Sequence, residues 1–383
     1  MTSLCLVAGD PSGDAHAAHL VEALTRLRPD LTFSGFGGRR MKQAGVEILE
    51  DLTQTASIGP FDAAKHLRQF VRARARFARH LQARRPDAVI LIDFGDFNLP
   101  VMAPLAKRFG CRVLYYVSPQ IWAWGRFRLR WVRRYVDRML VLFRFEEEFY
   151  RRAGVPVTWV GHPLIETAAP SMTRERVYQA LGLNPWRMTV GLLPGSREGE
   201  VARHLPLLLA AAKMIEWHMP GVQFLLPKAP QLPDRLFRRL GHESRLAIVS
   251  CTNRIYDALQ CMDAAIVTSG TSTLEAALFE VPMVVVYRTS WPTYLAAKLV
   301  VRVPRVGMVN LIAQDAVVPE CIQHRASPAR IGKAIVELLR DAQRNARMRE
   351  QLRKVREQLG PPGAVDRAAR AVLEELASDK HES

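Results

Sequence analysis

The chain lacks the features that mark secreted and membrane-spanning proteins. Its five cysteines are odd in number, scattered and without C-x-x-C spacing, which argues against a disulfide framework or a zinc site. No uninterrupted apolar run approaches the roughly 20 residues that span a bilayer, and the N-terminus reaches Asp10 before a signal-peptide core could form. We therefore expect reduced cysteines, a cytoplasmic location and at most peripheral membrane contact.

Low-complexity tracts and internal repeats are also absent, and 383 residues exceed what a single hydrophobic core usually organises. The apolar fraction of 49% and the charged fraction of 24% are typical of globular proteins. Lys and Arg outnumber Asp and Glu by 54 to 37, which gives a net charge of +17. This surplus favours an anionic partner and leaves nucleic acid, a membrane surface and a phosphorylated substrate open.

Short apolar runs alternate with amphipathic segments in both halves of the chain. The strands predicted in the first half are Leu4–Ala8, Ala88–Ile92, Arg112–Val117 and Met139–Phe143. Those predicted in the second half are Thr189–Leu193, Val222–Leu226, Leu246–Val249, Ala264–Thr268 and Met283–Tyr287. Nearly continuous apolar strands between helices predict parallel sheets covered on both faces. The expected fold is α/β, with two doubly wound Rossmann-like domains facing a cleft that holds the ligands.

Turn-forming segments set the predicted domain boundaries. Gly161-His162-Pro163 is a predicted hinge, so we expect an N-terminal domain at residues 1–165 and a C-terminal domain at 166–345. Residues 346–383 are helical by pattern, and we expect these helices to pack back on the first domain.

A strand-to-helix turn in the second half has the composition of a phosphate site. Gly195 and Ser196 expose backbone amides at a helix N-terminus, and Arg197 can neutralise a diphosphate. An ordinary turn with a serine cap has the same pattern, and this alternative stays open for the turn taken alone.

A second turn of the same kind runs from Thr268 to Glu275. Small hydroxyl residues around Gly270 permit close approach of a phosphate, and Glu275 is placed to accept hydrogen bonds from ribose hydroxyls. The spacing of Ser272 and Glu275 also fits a capping box. Two such turns in one half favour nucleotide binding over two coincidental caps, and neither is an ATPase phosphate loop.

Carboxylates follow a buried strand in the first half. Asp93 lies at the strand end and is a candidate general base, whereas we expect Asp96 to cap the next helix. The opening loop from Gly9 to Asp14 faces the same edge, and it either contacts an acceptor or serves as a turn and cap.

Two basic segments, Lys65–Arg85 and Arg126–Arg138, favour contact with an anionic surface. In the first, the predicted apolar face comprises Leu67, Phe70, Val71, Phe77 and Leu81. An interfacial helix and a solvated helix packed on the sheet share this pattern. His162 and His204 are read as structural, and the tryptophans Trp122, Trp124 and Trp131 as core residues or acyl-chain contacts.

Taken together, these segments resemble the lipid-A-disaccharide synthase family nearly from end to end. The matching segments are Ala8–Asp14, Gly37–Met41, Asp93–Asn98, Tyr116–Trp124, Phe145–Glu146, Gly161–Pro163, Leu193–Arg197, Ser269–Thr271, Leu274–Glu275, Pro282–Val285 and Asn310–Leu311. The stretch from Tyr116 to Trp124 is the most specific of them.

The resemblance implies an inverting glycosyltransferase of the GT-B type that uses UDP-2,3-diacylglucosamine and 2,3-diacylglucosamine 1-phosphate (lipid X). It implies catalytic roles for Asp93 and Arg197. The implied nucleotide-sugar-binding residues are Gly195, Ser196, Glu200, Ser269, Gly270, Thr271, Glu275 and Asn310. Ser12, Gly13 and Asn98 are the candidate acceptor-binding residues. No metal and no other cofactor is expected, because helix N-termini and cationic side chains can stabilise the leaving diphosphate.

The resemblance also implies peripheral contact with the anionic inner membrane at its cytoplasmic face, and it leaves a homodimer open. One departure is the polar segment Pro60–His66, where we expect the family's exposed apolar patch. Arginines would then contribute more of the membrane contact.

Two alternatives to this function remain. A UDP-sugar epimerase of the same fold would need similar nucleotide contacts but not the acceptor-side segments. A nucleic-acid-binding protein would fit the charge, yet the basic runs lack interleaved aromatic residues and no nucleic-acid module is recognisable.

Overall fold

The apolar runs form two separate parallel sheets, of seven and six strands within the residues that the computed structural model describes. The structure describes residues 2–53, 63–123, 125–237, 246–300 and 305–378. For residues 63–67, 296, 297, 299 and 300 it describes the backbone alone. One unit comprises Met1–Pro163 with Leu359–Ser383, and the other comprises Leu164–Gln358. The predicted α/β class with two doubly wound Rossmann-like units is confirmed.

The sheet of the first unit has the strand order β3-β2-β1-β4-β5-β6-β7. Its strands are β1 (Ser3–Ala8), β2 (Thr32–Phe36), β3 (Glu47–Glu50), β4 (Ala88–Ile92), β5 (Arg112–Tyr116), β6 (Arg138–Val141) and β7 (Val157–Trp159). Its helices include Pro11–Leu27, Arg39–Gln43, Ala63–Arg84, Gly95–Phe97, Ala103–Arg108, Leu129–Tyr135, Arg144–Arg152 and Ala364–Ser378. A π-helical turn, Asn98–Met102, and a 3-10 turn, Arg126–Arg128, complete the described elements.

The sheet of the second unit has the strand order β10-β9-β8-β11-β12-β13. Its strands are β8 (Thr189–Leu193), β9 (Gln223–Lys228), β10 (Ile248–Thr252), β11 (Ala264–Thr268), β12 (Met283–Tyr287) and β13 (Glu320–Ile322). Its helices include Leu164–Thr167, Arg174–Leu181, Glu198–His218, Ile255–Leu259, Thr271–Leu278, Trp291–Val300, Met308–Ala313, Pro328–Arg340 and Ala342–Gln358, with a 3-10 turn at Gln323–Arg325.

The central strands are buried on both faces, as their continuous apolar sequences require. Every residue of β4, β8 and β11 is buried. The parallel register pairs Ile92 with both Ala8 and Tyr116, so β1, β4 and β5 end at one edge of the sheet. Loops that follow these strands are therefore neighbours.

Four strands were not predicted, and they lie at or next to the sheet edges. The segments β2, β3, β7 and β13 are short, and the sequences of β3 and β13 include glutamates. An edge strand is covered on fewer sides, so its sequence lacks the apolar run that identifies a central strand.

The C-terminal helices divide between the units. Ala364–Ser378 packs on Pro11–Leu27, and its Glu375 forms ion pairs with Arg112, at 3.4 Å, and with Arg138. The preceding helix belongs to the second unit, where Arg353 pairs with Glu280 at 2.9 Å. The boundary therefore lies at the end of the helix Ala342–Gln358, whereas the sequence pattern placed it inside this helix.

None of the helices in the described part of the chain combines the length and the apolar character that crossing a bilayer requires.

Asp14 ties two helices of the first unit together. Its buried carboxylate accepts hydrogen bonds from the backbone N–H groups of Gly38 (2.7 Å), Arg40 (3.0 Å) and Met41 (3.1 Å). These donors lie at the start of the helix Arg39–Gln43, where backbone N–H groups have no intrahelical acceptor. The carboxylate supplies the missing acceptors.

We expect Asp14→Ala to lower the free energy of unfolding by about 3 kcal/mol, because three N–H groups, two of them in buried hydrogen bonds, lose a charged acceptor. Urea denaturation followed by circular dichroism measures the loss. The control is Asp30→Ala, which removes an exposed carboxylate of the same unit and should leave the midpoint nearly unchanged. Equal midpoints for the two variants would contradict the assigned role of Asp14.

Candidate functional site

Asp93 follows β4 in a strained backbone conformation at the carboxyl edge of the first sheet. Asp93 and Phe94 have φ angles of +45° and +49°, and Val117, which follows β5, has a φ of +60°. Left-handed conformations cost free energy in residues with a side chain, most of all in β-branched ones. Such strain persists only where surrounding contacts hold it, and it is concentrated at functional sites.

Neighbouring groups hold the Asp93 backbone in place. Its carbonyl oxygen accepts hydrogen bonds from Asn98 Nδ2 at 2.9 Å and from the hydroxyl of Tyr115, and its N–H donates to the Tyr116 carbonyl at 3.2 Å. Asn98 is fully buried and its amide is directed at backbone carbonyls. Its contribution to the site is therefore to fix Asp93 from inside the unit.

The environment of Asp93 makes its carboxyl group a weaker acid. Burial, followed by the negative charges of Asp10 and Asp96, raises the pKa of Asp93 to about 7. A carboxylate with a pKa near neutrality accepts a proton more readily than an ordinary aspartate, which is the property that a general base needs.

The helix-capping role predicted for Asp96 is wrong. The residue at the N-cap position of Gly95–Phe97 is Phe94, and Asp96 lies in the first turn with 68% of its side chain exposed. Its carboxylate pairs with Arg128 instead. Because Phe94 has a left-handed backbone, the helix begins at Gly95, one residue before Asp96, and Asp96 cannot be its cap.

The loop after β1 lies beside Asp93 because β1 and β4 are paired. Asp10 caps the helix Pro11–Leu27 by accepting from the N–H of Gly13 at 2.7 Å. The Gly13 amide is thereby occupied, and Ser12 is exposed in the first turn of this helix. Gly9 allows close packing, since a Cβ there would lie 2.1 Å from the Phe94 ring.

The family-specific stretch after β5 surrounds a buried glutamate. Glu146 accepts hydrogen bonds from Trp122 Nε1 at 3.1 Å and from the Phe143 N–H at 3.2 Å, and burial raises its pKa to about 8. The Trp122 ring meets Phe145 edge to face, with ring centroids 4.9 Å apart. Trp124 lies outside the described residues.

In the second unit, Gly195 begins the first phosphate-type turn. Its φ is +110°, and a Cβ would lie 2.8 Å from Glu200 Oε2, so only glycine fits without a shift. Ser196 and Arg197 are exposed at the N-terminus of Glu198–His218. Arg197 pairs with Glu200 at 3.3 Å, and this exposed contact leaves the guanidinium accessible to an anion.

The second turn follows β11, the strand paired with β8, so the structure brings the two turns to the same sheet edge. Gly270 is the N-cap of Thr271–Leu278 and, like Thr271, it is exposed. The Ser269 hydroxyl donates to the Val306 carbonyl at 3.4 Å. At this edge, two helix N-termini and Arg197 offer N–H groups and positive charge to an anion.

Glu275 lies within the helix that this turn begins. Its carboxylate accepts a hydrogen bond from the Tyr256 hydroxyl at 3.3 Å, and burial raises its pKa. The capping-box alternative is wrong, because the N-cap is Gly270 and not Ser272. Tyr256, from the helix Ile255–Leu259, was missed by sequence reasoning since no local motif marks it.

Asn310 is almost completely buried. It is 1% exposed, and its amide bonds to the backbone of Val318 and to the Glu320 carboxylate. Glu320, at the start of β13, was not singled out in the sequence because it belongs to an unpredicted edge strand.

His162 and His204 are both buried within the protein. His204 Nδ1 lies 2.9 Å from the Glu200 carbonyl, and its Nε2 accepts from the Arg288 N–H at 2.9 Å, which assigns the proton to Nδ1. Burial lowers the pKa of His204 and brings that of His162 to about 3, so both rings are neutral. Among the described residues, no cluster of three or more His, Cys, Asp or Glu is arranged to hold a metal ion.

Solved structures share this architecture. The calicheamicin glycosyltransferase CalG4 matches with a TM-score of 0.63 at 15% identity, over 99% of each chain. UDP-GlcNAc 2-epimerase from Neisseria meningitidis, solved with UDP-GlcNAc bound, gives a TM-score of 0.65 at 12% identity, over 98% of this chain and 100% of the other. Identities this low show the fold alone. The protein has the GT-B fold.

Sequence relatives identify the family within that fold. The sequence model described as lipid-A-disaccharide synthetase matches residues 4–374. The lipid-A-disaccharide synthase of Geobacter metallireducens is 44% identical over 375 residues, which cover 98% of this chain and 97% of the relative. The chain belongs to the lipid-A-disaccharide synthase family and is a glycosyltransferase of lipid A biosynthesis. The epimerase alternative retains only the shared fold.

Proposed function

We propose that the protein transfers the diacylglucosamine unit of UDP-2,3-diacylglucosamine to lipid X, with inversion at the anomeric carbon. The products are the β-1,6-linked disaccharide 1-phosphate and UDP. The observation that carries this proposal is the Asp93 carboxylate, held at the strand edge with a pKa of about 7.

In the proposed step, the acceptor 6-hydroxyl oxygen attacks the donor's anomeric carbon. A carbon–oxygen bond forms there while the bond to the diphosphate breaks, and UDP leaves with the electron pair. Asp93 takes the hydroxyl proton, which prevents a positive charge from building up on the attacking oxygen. We assign acceptor contact to Ser12, which lies in the first turn of the neighbouring helix Pro11–Leu27.

The second unit supplies the donor contacts in this proposal. The amides of Gly195, Ser196, Gly270 and Thr271 and the Arg197 guanidinium bind the diphosphate and stabilise the charge that develops as it departs. Glu275, whose carboxylate is held by the Tyr256 hydroxyl, accepts hydrogen bonds from the ribose hydroxyls. This arrangement assigns leaving-group stabilisation to the protein's own groups and requires no metal.

We also propose that the first unit contacts the anionic inner membrane at its cytoplasmic face. The exposed arginines of the helix Ala63–Arg84 are Arg68, Arg72, Arg74, Arg76, Arg79 and Arg84. Val71, predicted for the apolar face with Phe77 and Leu81, is 59% exposed and lines a groove of about 460 Å³ with Leu105 and Phe109. An apolar groove between arginines suits a lipid surface. The polar segment at 60–66 lies outside the described residues, apart from the backbone of 63–66.

We expect turnover to rise with pH through about 7, because Asp93 acts only when its carboxylate is ionised. Asp93→Asn should lower kcat by roughly 10²- to 10⁴-fold and abolish this pH dependence, while UDP binding stays intact. Mass spectrometry of the disaccharide product and calorimetry with UDP measure the two effects. Asp30→Asn, which neutralises an exposed carboxylate of the same unit, is the control, and near-normal turnover in Asp93→Asn would refute the assignment.

Arg197→Ala should lower kcat/KM for the donor by roughly 10- to 100-fold, since a charged contact with the diphosphate is lost. Arg197→Lys should fall between the wild type and Arg197→Ala, because an ammonium keeps the charge but not the bidentate geometry. Steady-state kinetics with varied donor tests this order. Equal donor kinetics for all three proteins would remove Arg197 from the site.

Binding to vesicles that contain anionic phospholipid should weaken as salt increases, since exposed charges are screened. Arg72→Glu with Arg79→Glu should weaken sedimentation with such vesicles, at about 1 kcal/mol for each arginine lost. Lys333→Glu, an exposed charge reversal in the second unit, is the control. Salt-independent binding would contradict an electrostatic contact.

The epimerase alternative predicts that UDP-acetylglucosamine is interconverted with its epimer in the absence of acyl chains. We expect no such conversion, and proton NMR of the sugar nucleotide gives a direct readout.

A further inference from the structure

We propose that Glu320 is a positioning residue for donor binding, and that it acts together with Asn310 by holding the segment Val306–Gly307 beside the Ser269 turn. This inference rests on the proposed donor role of that turn. Neither residue touches the donor in the proposal, and Asn310 thereby acts through Glu320 rather than as a nucleotide contact.

The Glu320 carboxylate gathers three N–H donors from one short segment. Its Oε1 accepts from the Gly307 N–H at 2.9 Å and from Asn310 Nδ2 at 2.8 Å, and its Oε2 accepts from the Val306 N–H at 3.0 Å. Gly307 is the N-cap of the helix Met308–Ala313. A carboxylate is the side chain suited to this position, because it accepts hydrogen bonds at both oxygens and complements a helix N-terminus.

Asn310 closes the same network from the other side. Its Nδ2 also donates to the Val318 carbonyl at 2.9 Å, and its Oδ1 accepts from the Val318 N–H at 2.9 Å. The side chain is 1% exposed, so it is directed at protein and not at a ligand. Asn310 thus fixes the chain just before β13 and, with it, the position of Glu320.

The network reaches the donor side through Val306. The Val306 N–H is held by Glu320, and the Val306 carbonyl accepts from the Ser269 hydroxyl at 3.4 Å. The Ser269 N–H is in turn held by the Val286 carbonyl at 2.9 Å. A Cβ on Gly307 would lie 3.1 Å from Glu320 Oε1, which shows how closely the segment is seated. A shift of Val306 would therefore remove one of the contacts that orient the Ser269 turn.

The chemistry of the network explains why an amide cannot replace the carboxylate. In Glu320→Gln one oxygen becomes an NH₂ group, which faces an N–H donor and leaves it without an acceptor. A donor that has lost its acceptor can regain a partner only if the segment that carries it moves. The Val306–Gly307 segment is the part free to move, since β13 is held by its pairing with β12.

The test compares Glu320→Gln with Glu337→Gln. Glu337 is a partly exposed carboxylate of the same unit that pairs with Arg344 at 2.6 Å, and it lies outside the network. We expect Glu320→Gln to raise the KM for the donor and the Kd for UDP by about tenfold, corresponding to one impaired hydrogen bond, with kcat at saturating donor within about twofold of the wild type. Glu337→Gln should match the wild type in all three.

The measurement of UDP affinity by calorimetry requires no turnover, so it separates this inference from the proposed reaction. If Asp93→Asn retained activity while Glu320→Gln lost UDP affinity, the base assignment would fail and the positioning role would stand. If Glu320→Gln lowered only the unfolding midpoint and left UDP affinity and donor KM unchanged, Glu320 would be structural and the inference overturned.

A double-mutant cycle tests the coupling between the two residues. Asn310→Ala and Glu320→Ala should each raise the Kd for UDP. The Kd of the double variant should be no higher than that of the more impaired single variant, because both changes release the same segment. Additive losses would mean that the two side chains act independently, which would overturn the shared role. Thermal unfolding of each variant checks that the protein remains folded during the titrations.

Discussion

Parallel strand pairing is the constraint on which both halves of the chemistry depend. Because β1, β4 and β5 run in one direction, the loops after them meet at one edge of the first sheet. The pairing of β8 with β11 does the same for the two glycine-containing turns of the second sheet. Residues far apart in sequence become neighbours in this way, and no single loop needs to carry a complete site.

The two units handle charge differently. In the first unit, burial and neighbouring carboxylates raise the pKa of Asp93 to about 7. Its strained backbone is fixed by hydrogen bonds from buried partners. In the second, exposed arginine and free helix N-termini remain open to an anion. A base requires a shielded environment that favours its protonated form, whereas diphosphate binding requires accessible positive charge.

The central architecture was predictable because buried parallel strands carry their signal in continuous apolar sequence, and four of them, β4, β8, β11 and β12, have the predicted limits. Three of the four edge strands, β3, β7 and β13, were not predictable, since half-covered strands such as Glu47–Glu50 have no such run. The turns at Gly195 and Gly270 were found by composition. The supporting partners Tyr115, Tyr256 and Glu320 were not, because a residue that acts across the sheet from a distant segment leaves no local pattern.

The return of the chain to the first unit affects the order of folding. Arg367 donates to the carbonyls of Val160, Pro361 and Pro362, and Glu375 neutralises arginines on β5 and β6. Arg367 and Glu375 follow the whole second unit in the chain and are therefore synthesised after it. The second unit is therefore synthesised before the first can be completed, and the helix Pro11–Leu27 lacks one of its packing partners until Ala364–Ser378 has been made.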